Sequence, residues 1–576
     1  MMAVLEQINP GLYVILAGLI AAVMPANPVR KVLVLSAPIF AAAMIFHLYD
    51  AQEVLGGIIN VGSVELTTLR IDNLSVVWGY LFCLAGLING IYALHERSWI
   101  TDSSALVYTG AAIAGVLSGD MLSLFVMWEL TAISSVFLVW RGGDRAYHAG
   151  IRYLVIQVLS GVLLLAGAVT YAGANGGDFT FGYIGIDAPG AWLLLIGMGI
   201  KAGFPMLHMW MQDAYPKASI TGTVILASFT TKFAIYALAR AFPGTDILIW
   251  IGCIMTCFPV FFAVIENDLR RVLAYSLNNQ LGFMVAGIGI GTTMAMNGVV
   301  GQVFVHVIFK GLLFMSIGAV LYRTGTAKAS ELGGLFRSMP YTTVLCLIGA
   351  GSIAAFPLLA AFVTKAMILQ AAIDEKLWVA FAMMLFASAG VMEHSGIKVP
   401  HFTFFAHDSG RRVKEAPWNM LVAMSLAAVL CIVLAWPWGG YDILYQLMPF
   451  DTDYKPYTWD HVVFQLQLLF AAIFAFNILK RYKLYPAERR AEVIDADIVY
   501  RRWGKGLAVW SDAMLERLGA RVDSWRRKGV SSVGRRLSQA FSPAGSMSQA
   551  APSGLAAVLT AGMLFVALLI AFIAAA

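Results

Sequence analysis

Charged residues are scarce in this chain of 576 residues. Asp, Glu, Lys and Arg make up 12% of it, whereas 60% is hydrophobic and the mean hydropathy is +0.76. Soluble domains carry about a quarter charged residues. Apolar stretches recur from end to end, many of them near the roughly 20 helical residues that cross a hydrocarbon core. This composition excludes an ordinary soluble domain and predicts an all-α integral membrane protein.

Sequence signatures of bound cofactors are also lacking. The five cysteines all fall in apolar stretches, and Cys253 and Cys257 share a helix face without a His or carboxylate at metal spacing. We find no phosphate loop, dinucleotide fingerprint, haem or iron–sulfur spacing. We therefore expect no cofactor, no metal and no nucleic-acid partner. The first basic residues, Arg30 and Lys31, follow the first apolar run, which favours a retained span over a cleaved signal.

The apolar runs predict sixteen transmembrane spans. With the N-terminus outside, the inner loops hold 31 of the 39 Lys and Arg residues and the outer loops hold 4. An excess of Lys and Arg is typical of cytoplasmic loops. The distribution therefore predicts that both termini lie on the periplasmic side of the inner membrane. The predicted spans are 11–24, 31–48, 74–94, 104–119, 121–140, 151–173, 190–211, 219–240, 246–264, 272–291, 298–321, 342–371, 376–394, 417–436, 462–479 and 553–575.

A basic amphipathic helix is predicted between the last two spans. Apolar residues from Trp503 to Trp525 recur every three or four positions, with arginines between them. Such helices lie in the membrane interface against anionic lipid. Two interpretations stay open: a lipid-bound tether, or a strap along a neighbouring subunit.

Five charged residues are predicted to lie at mid-bilayer, away from the ends of their spans: Glu129, Lys201, Lys232, Lys310 and Lys365. A charge at mid-bilayer costs about 2.5–3.5 kcal/mol on insertion scales, so together they would cost roughly 12–18 kcal/mol if unpaired and facing lipid. They must face a polar or wet interior. Static ion pairs do not account for four cations and one anion, so we favour proton or ion transfer.

Two of these lysines lie beside helix breakers in similar surroundings. Lys201 precedes Pro205 in an Ala-Gly-Phe-Pro sequence, and Lys365 follows Pro357 in an Ala-Ala-Phe-Pro sequence. A proline within a span interrupts the helix. The two prolines are 152 residues apart, close to five spans, and paired interrupted spans point to inverted repeats with a transport site in each.

The histidines divide into three groups. His306 lies one turn before Lys310, and the two could relay protons. His208 follows Pro205, where a structural role and a relay are both open. The remaining histidines near loops are predicted to be solvated: His148, His394, His401 and His407.

Together these motifs resemble the antiporter-like membrane subunits shared by respiratory complex I and Mrp-type antiporters. The resemblance covers roughly residues 75–400, and includes a broken eleventh span at His306–Phe314. The segments that carry it are Met127–Leu130, Lys201–Pro216, Thr231–Lys232, Asp268–Ser276, His306–Phe314 and Phe356–Lys365.

Four further segments resemble the D-type subunit of Mrp-type Na⁺/H⁺ antiporters: His401–Phe405, Ala416–Met420, Tyr454–Thr458 and Asp495–Arg502. The linker after 483 is instead similar to the lateral-helix extension of the largest antiporter-like subunit of complex I. Where relatives often have a second histidine, this chain has Gln302.

The family fold implies a fourteen-span core with broken helices and two inverted five-helix repeats. We therefore divide the chain into 1–95 (N-terminal spans), 104–240 and 246–394 (first and second repeats), 395–482 (spans fourteen and fifteen), 483–552 (amphipathic helix and linker) and 553–576 (last span).

The resemblance implies a transport subunit rather than an enzyme, in which Glu129 pairs with Lys201. Protons would pass from Lys201 through Lys232 to Lys310 and His306, then to Lys365. The expected partners are other membrane subunits, the lipid bilayer, protons and, left open, Na⁺. Two alternatives remain: a proton-pumping subunit of a complex I-like NADH-quinone oxidoreductase, which would count as part of a translocase, and a structural subunit with an inert channel.

Overall fold

The structure, a computed structural model, is largely helical. It describes residues 7–486 except 26, 50–53 and 63, followed by 493, 495, 496, 498, 504–540, 542 and 558–567. The chain divides into two units, Met1–Asp495 and Ala496–Ala576. Each unit is described by itself.

The first unit is built from long apolar helices and shorter pieces that continue one another. Its N-terminal helices are α1 (Pro10–Val23), α2 (Asn27–Leu48), α3 (Ser75–Tyr92), α4 (Trp99–Val116), α5 (Met121–Trp140), α6 (Asp144–Ala174), α7 (Ala191–Ala202), α8 (Met209–Ala214), α9 (Ile220–Leu226) and α10 (Thr230–Ala241). The following ones are α11 (Asp246–Ile265), α12 (Leu269–Ile290), α13 (Thr293–Thr324), α14 (Pro340–Ile353), α15 (Ala361–Asp374), α16 (Trp378–Val391), α17 (Trp418–Val433), α18 (Gly440–Gln446) and α19 (Trp459–Arg481).

Each of the first fifteen predicted spans overlaps at least one of these helices. Among the described residues, nine helices are long and apolar enough to cross a membrane, and five further apolar helices are shorter. These lengths and compositions confirm a multi-helix membrane protein. The count of sixteen spans stays a prediction.

The prediction of an all-α chain was wrong in one place. Strands β1 (Val54–Val61) and β2 (Val64–Ile71) form an antiparallel hairpin in the connection between α2 and α3. Val54 pairs with Ile71, and Val61 pairs with Val64 next to the turn. Valine and isoleucine are frequent in both strands, and β-branched residues fit a pleated surface better than a helix.

Three predicted spans are interrupted. The gap between α7 and α8 contains Gly203, at a φ of +82°, and Pro205, and the gap between α14 and α15 contains Pro357. A third break separates α9 from α10 and contains no proline. The prediction of a break in the eleventh span was wrong, because α13 is continuous over 32 residues. No proline occurs within it, so every backbone N–H can take part in the helix.

The two predicted repeats share a local feature at equivalent positions. Asp120 caps α5 and forms an isolated antiparallel bridge with Thr180, and Asp268 caps α12 and forms one with Lys328. Both pairs are related by the same shift of 148 residues. The cap and the bridge therefore recur together in the two halves.

Glycines bring the backbones of α1 and α4, and those of α11 and α12, into close contact. A Cβ at Gly252 of α11 would lie 2.2 Å from the amide nitrogen of Ala286 in α12. A Cβ at Gly11 of α1 would lie 2.3 Å from the amide nitrogen of Ala114 in α4. In both pairs the backbones approach more closely than any side chain would allow.

The centre of the first unit is formed by α9, α10 and α13. The most apolar parts of Ile220–Ala241 and Thr293–Thr324 are completely buried. Lys232 on α10 and Lys310 on α13 lie within this core. With His306, which is also on α13, three of the predicted site residues are thus on the most enclosed helices.

The second unit contains α20 (Lys505–Ala540) and α21 (Val558–Ala567). Helix α20 confirms that the predicted amphipathic segment is helical over 36 residues, with Leu507 and Trp510 exposed. Trp503 of the predicted pattern lies outside the described residues. Of the predicted last span, 553–575, the structure describes only α21.

Candidate functional site

Lys201 is held at the end of α7 by groups from α5. Its ammonium donates hydrogen bonds to the carbonyl oxygen of Trp128 at 2.5 Å and to Thr131 Oγ1 at 2.9 Å. The Nζ atom lies 4.3 Å from the centre of a Trp128 ring, and the side chain is fully buried. A carbonyl, a hydroxyl and an aromatic face all favour a cation without neutralising it.

Glu129 follows Trp128 on α5 but is not joined to Lys201 by an ion pair in the described part of the chain. Its Oε1 atom is buried without a hydrogen-bond partner among the described residues. A Cβ at Gly161 of α6 would lie only 1.5 Å from that oxygen. The carboxylate therefore occupies space that only a glycine leaves open. It forms no ion pair with Lys201, although the charges of the two side chains interact.

Lys232 and Lys365 are bound by carbonyl oxygens at helix breaks. Lys232 Nζ donates to Ala227 O at 2.6 Å, in the gap between α9 and α10. Lys365 Nζ donates to Ile353 O at 3.2 Å, at the last residue of α14. Both lysines are buried. Interrupting a helix frees carbonyls for such contacts, which explains why these cations lie next to breaks.

His306 and Lys310 lie one turn apart on the continuous helix α13. Both are fully buried, and neither the ring nitrogens nor the ammonium forms a hydrogen bond within the described residues. The His306 ring lies close enough to Lys232, Lys310 and Lys365 for their charges to interact. The structure therefore brings the three central predicted cations around one histidine.

Gln302 occupies the position of the missing second histidine and connects several helices. Its amide donates to Gln280 Oε1 at 2.9 Å, and its carbonyl accepts a hydrogen bond from Thr364 at 2.5 Å. Thr364 precedes Lys365 on α15. A buried amide satisfied from both sides fixes α13 against α12 and α15.

The prediction of a solvated His394 was wrong. The residue is fully buried in the π-helical turn Met392–Lys398 that extends α16, and its Nδ1 lies 2.9 Å from Ser395 Oγ. Ser395 in turn donates to Ser276 Oγ of α12 at 2.7 Å. The neighbouring polar sequence is typical of a loop, and periodicity alone did not reveal that a π-helical turn buries it.

Asp72, after strand β2, binds two arginines. Arg240 Nη2 lies 2.8 Å and Arg70 Nε lies 3.1 Å from its carboxylate. Burial alone raises the pKa of Asp72, but the bonded guanidinium of Arg240 outweighs it and lowers the pKa to about 2. The two arginines and Asp72 therefore form a structural cluster.

Comparison with known proteins finds a family model that matches part of the chain. Residues 118–390 match the model of the family described as NADH:quinone oxidoreductase/Mrp antiporter, TM. The matched part is slightly less than half of the chain. It contains the broken helices and all six predicted site residues.

Curated relatives come from both transport and redox complexes. The chain is 26% identical to Hydrogenase-4 component B of Escherichia coli over 64% of this chain and 62% of that protein. It is 32% identical to the D-type subunit of the Na(+)/H(+) antiporter of Alkalihalophilus pseudofirmus over 46% and 58%. It is 29% identical to the N-type subunit of the NADH-quinone oxidoreductase of Desulforudis audaxviator over 53% and 66%. The chain thus spans less than two thirds of each of these relatives.

Solved structures agree on the fold. A chain of the Mrp complex from Dietzia sp. DQ12-45-1b superposes with a TM-score of 0.69 and 21% identity, covering 81% of this chain and 99% of that one. A chain of the archaeal membrane-bound sulfane sulfur reductase gives the same TM-score and identity, covering 98% and 100%. The architecture is therefore the antiporter-like membrane fold.

Proposed function

We propose that this chain is a proton-translocating membrane subunit of a multi-subunit Mrp-type cation/proton antiporter. The observation that supports it is the set of four buried lysines without a carboxylate ion pair among the described residues. Three of them are held by carbonyl oxygens, and Lys310 has no hydrogen-bond partner there. A purely structural lysine would be expected to have a charged partner.

The proposed path starts at Glu129 and Lys201, continues through Lys232 to His306 and Lys310, and leaves by Lys365. Lys201 holds its proton when Glu129 approaches and can release it when the carboxylate withdraws toward Gly161. The shift of a carboxylate between two positions supplies the two states that coupled transport needs. Pro205 and Pro357 interrupt the helices beside Lys201 and Lys365, and the break at Pro357 exposes the Ile353 carbonyl that holds Lys365.

The paired caps and bridges support the two inverted repeats, 104–240 and 246–394. Asp120 lies in a loop that the charge distribution assigns to the outside, and its equivalent Asp268 in a loop assigned to the inside. A shared feature on opposite faces is what an inverted repeat of five helices requires.

A cation-dependent proton-exchange assay in everted vesicles tests the path. Lys201→Ala and Glu129→Gln should each abolish exchange while the complex still assembles. Lys414→Ala, at an exposed lysine, is the matched control and should behave as wild type. Full exchange by an assembled Lys201→Ala variant would exclude the path and favour the structural subunit.

A complex I-like proton pump is the second candidate, and the likeness to the N-type subunit of an NADH-quinone oxidoreductase favours it. Both candidates use the same buried residues. Purification in mild detergent with identification of the co-purifying chains separates them, since antiporter partners and redox subunits give different sets.

A further inference from the structure

Asp495 places a buried carboxylate against the break between α7 and α8. Its Oδ2 atom lies 3.2 Å from His208 Nε2 and accepts a hydrogen bond from the hydroxyl of Tyr275 at 2.9 Å. The side chains of Asp495 and His208 are 6% and 2% exposed. This carboxylate comes from the segment after α19, 287 residues away in sequence from His208.

His208 lies between this carboxylate and the end of the helix that carries Lys201. Its second ring nitrogen, Nδ1, is buried and makes no hydrogen bond to the described residues. Gly203 ends α7 two residues after Lys201, and a Cβ placed there would be 3.7 Å from the Cβ of His208. A histidine bonded on one nitrogen and open on the other can accept a proton on one side and release it on the other.

Asn278 of α12 adds polar atoms to the same turn. Its Oδ1 would lie 2.7 Å from a Cβ at Gly203, and both polar atoms of its amide are buried without partners among the described residues. Unpaired buried polar atoms are unfavourable and call for a specific reason. Here they flank the turn that separates His208 from Lys201.

We propose that Asp495 and His208 form the proton-uptake pair for Lys201 on the cytoplasmic side. Asp495 takes up a proton and passes it to His208 Nε2, and His208 releases a proton from Nδ1 toward Lys201. Each transfer breaks one O–H or N–H bond and forms another, so the pair returns to its starting state once the histidine has exchanged tautomers. The inference rests on the proposed function.

Two other charged groups of the described structure lie near this pair. Arg271 and Glu266 interact with the Tyr275 hydroxyl and are bonded to each other at 3.4 Å. On the α11 side the His208 ring packs on Phe258, with ring centres 4.5 Å apart. The carboxylate of Asp495 is therefore the acidic group bonded to His208 in the described structure.

The competing interpretation is that Asp495 only anchors its segment, and three substitutions separate the two. Asp495→Asn keeps an acceptor for both donors but cannot carry a proton. His208→Gln keeps an N–H donor for the carboxylate but cannot relay. Tyr275→Phe removes one anchoring hydrogen bond and leaves the relay pair intact.

Proton exchange is measured in everted vesicles across pH, with assembly followed on native gels. Asp495→Asn and His208→Gln should each lower the exchange rate at least tenfold, with the loss growing as pH rises and protons become scarce. Asp495→Glu should restore the rate to within about threefold of wild type, and Tyr275→Phe should stay within about twofold. All variants should assemble.

Equal losses in Asp495→Asn and Tyr275→Phe, with reduced assembly, would overturn the relay in favour of the anchor. Normal exchange by Asp495→Asn beside an inactive Lys201→Ala variant would overturn the uptake pair alone and leave the proposed function standing. Normal exchange by Lys201→Ala would refute the proposed function and the uptake pair together.

Discussion

Replacing Gly161 by alanine should block the withdrawn position of the Glu129 carboxylate. The added Cβ would lie 1.5 Å from Oε1 and 2.6 Å from the carboxyl carbon. An ordinary contact needs about 3.5 Å, so the carboxylate must move by about 2 Å or the two helices must separate. Because the backbone of α6 is fixed by its helix, we expect the side chain to move.

The size of the effect follows from the overlap. Extra methyl groups in a packed interior destabilise by about 1–3 kcal/mol. A bias of about 1–3 kcal/mol between two positions of one carboxylate changes their ratio by about 5- to 150-fold. If Lys201 releases its proton only when Glu129 withdraws, Gly161→Ala should slow exchange at least fivefold without loss of assembled protein.

Gly173→Ala on the same helix is the matched control. No atom lies within 4 Å of a Cβ at this position. Both substitutions gain about 1 kcal/mol of helix propensity, so any difference between them comes from the contact with Glu129. Exchange is followed as cation-dependent dissipation of a pH gradient in everted vesicles. Equal rates for the two assembled variants would show that the position of Glu129 does not control proton release.

Three further outcomes are expected. Lys365→Arg should assemble but lose exchange, because a guanidinium keeps its proton at working pH, and near-normal exchange in this assay would show that the charge is only structural. The folded pKa of Asp72 lies below its ordinary value of about 3.9, so its ion pair stabilises above that pH and the stabilisation is lost as pH falls towards 2. Asp72→Asn should therefore remove the loss of thermal stability in detergent over that pH window, and an unchanged profile would assign the loss to other groups. A single cysteine at Asp178 should react with an impermeant reagent from outside and one at Arg517 only from the cytoplasm; outside labelling at Arg517 would overturn the predicted topology.

The positions of the helices could be predicted from sequence because their apolar runs are long and separated by charged loops. The breaks near Lys201 and Lys365 could also be predicted from sequence, because each contains a proline. The break at 227–229 lacks that signal, and only the structure shows that Lys232 binds the carbonyl it frees. Conversely, the family pattern suggested a break in α13 where nothing in the local sequence requires one.

Within the candidate site, residue types were predictable and distances were not. The scarcity of carboxylates among the intramembrane lysines was visible in the sequence, and so was the neighbourhood of His306 and Lys310. The contact between Asp495 and His208 was not, because 287 residues separate them and neither local periodicity nor composition links such positions. The contact of Glu129 with Gly161 could not be predicted either, because it depends on how α5 packs against α6.

The glycine-packed pairs α1–α4 and α11–α12 limit how this protein can deform. Side chains between two helices act as a compressible layer that lets one helix slide or rotate over the other, and where backbone meets backbone that layer is missing. The two helices of each pair should therefore move together as one rigid body. The three interrupted segments, at 203–208, 227–229 and 354–360, are places where the fold can deform more easily. Lys201 and the carbonyls of Ala227 and Ile353 lie in them or directly beside them. The segments that deform most easily therefore lie next to the buried lysines. A movement of these helices during a transport cycle would first change the hydrogen bonds that hold the lysine ammonium groups.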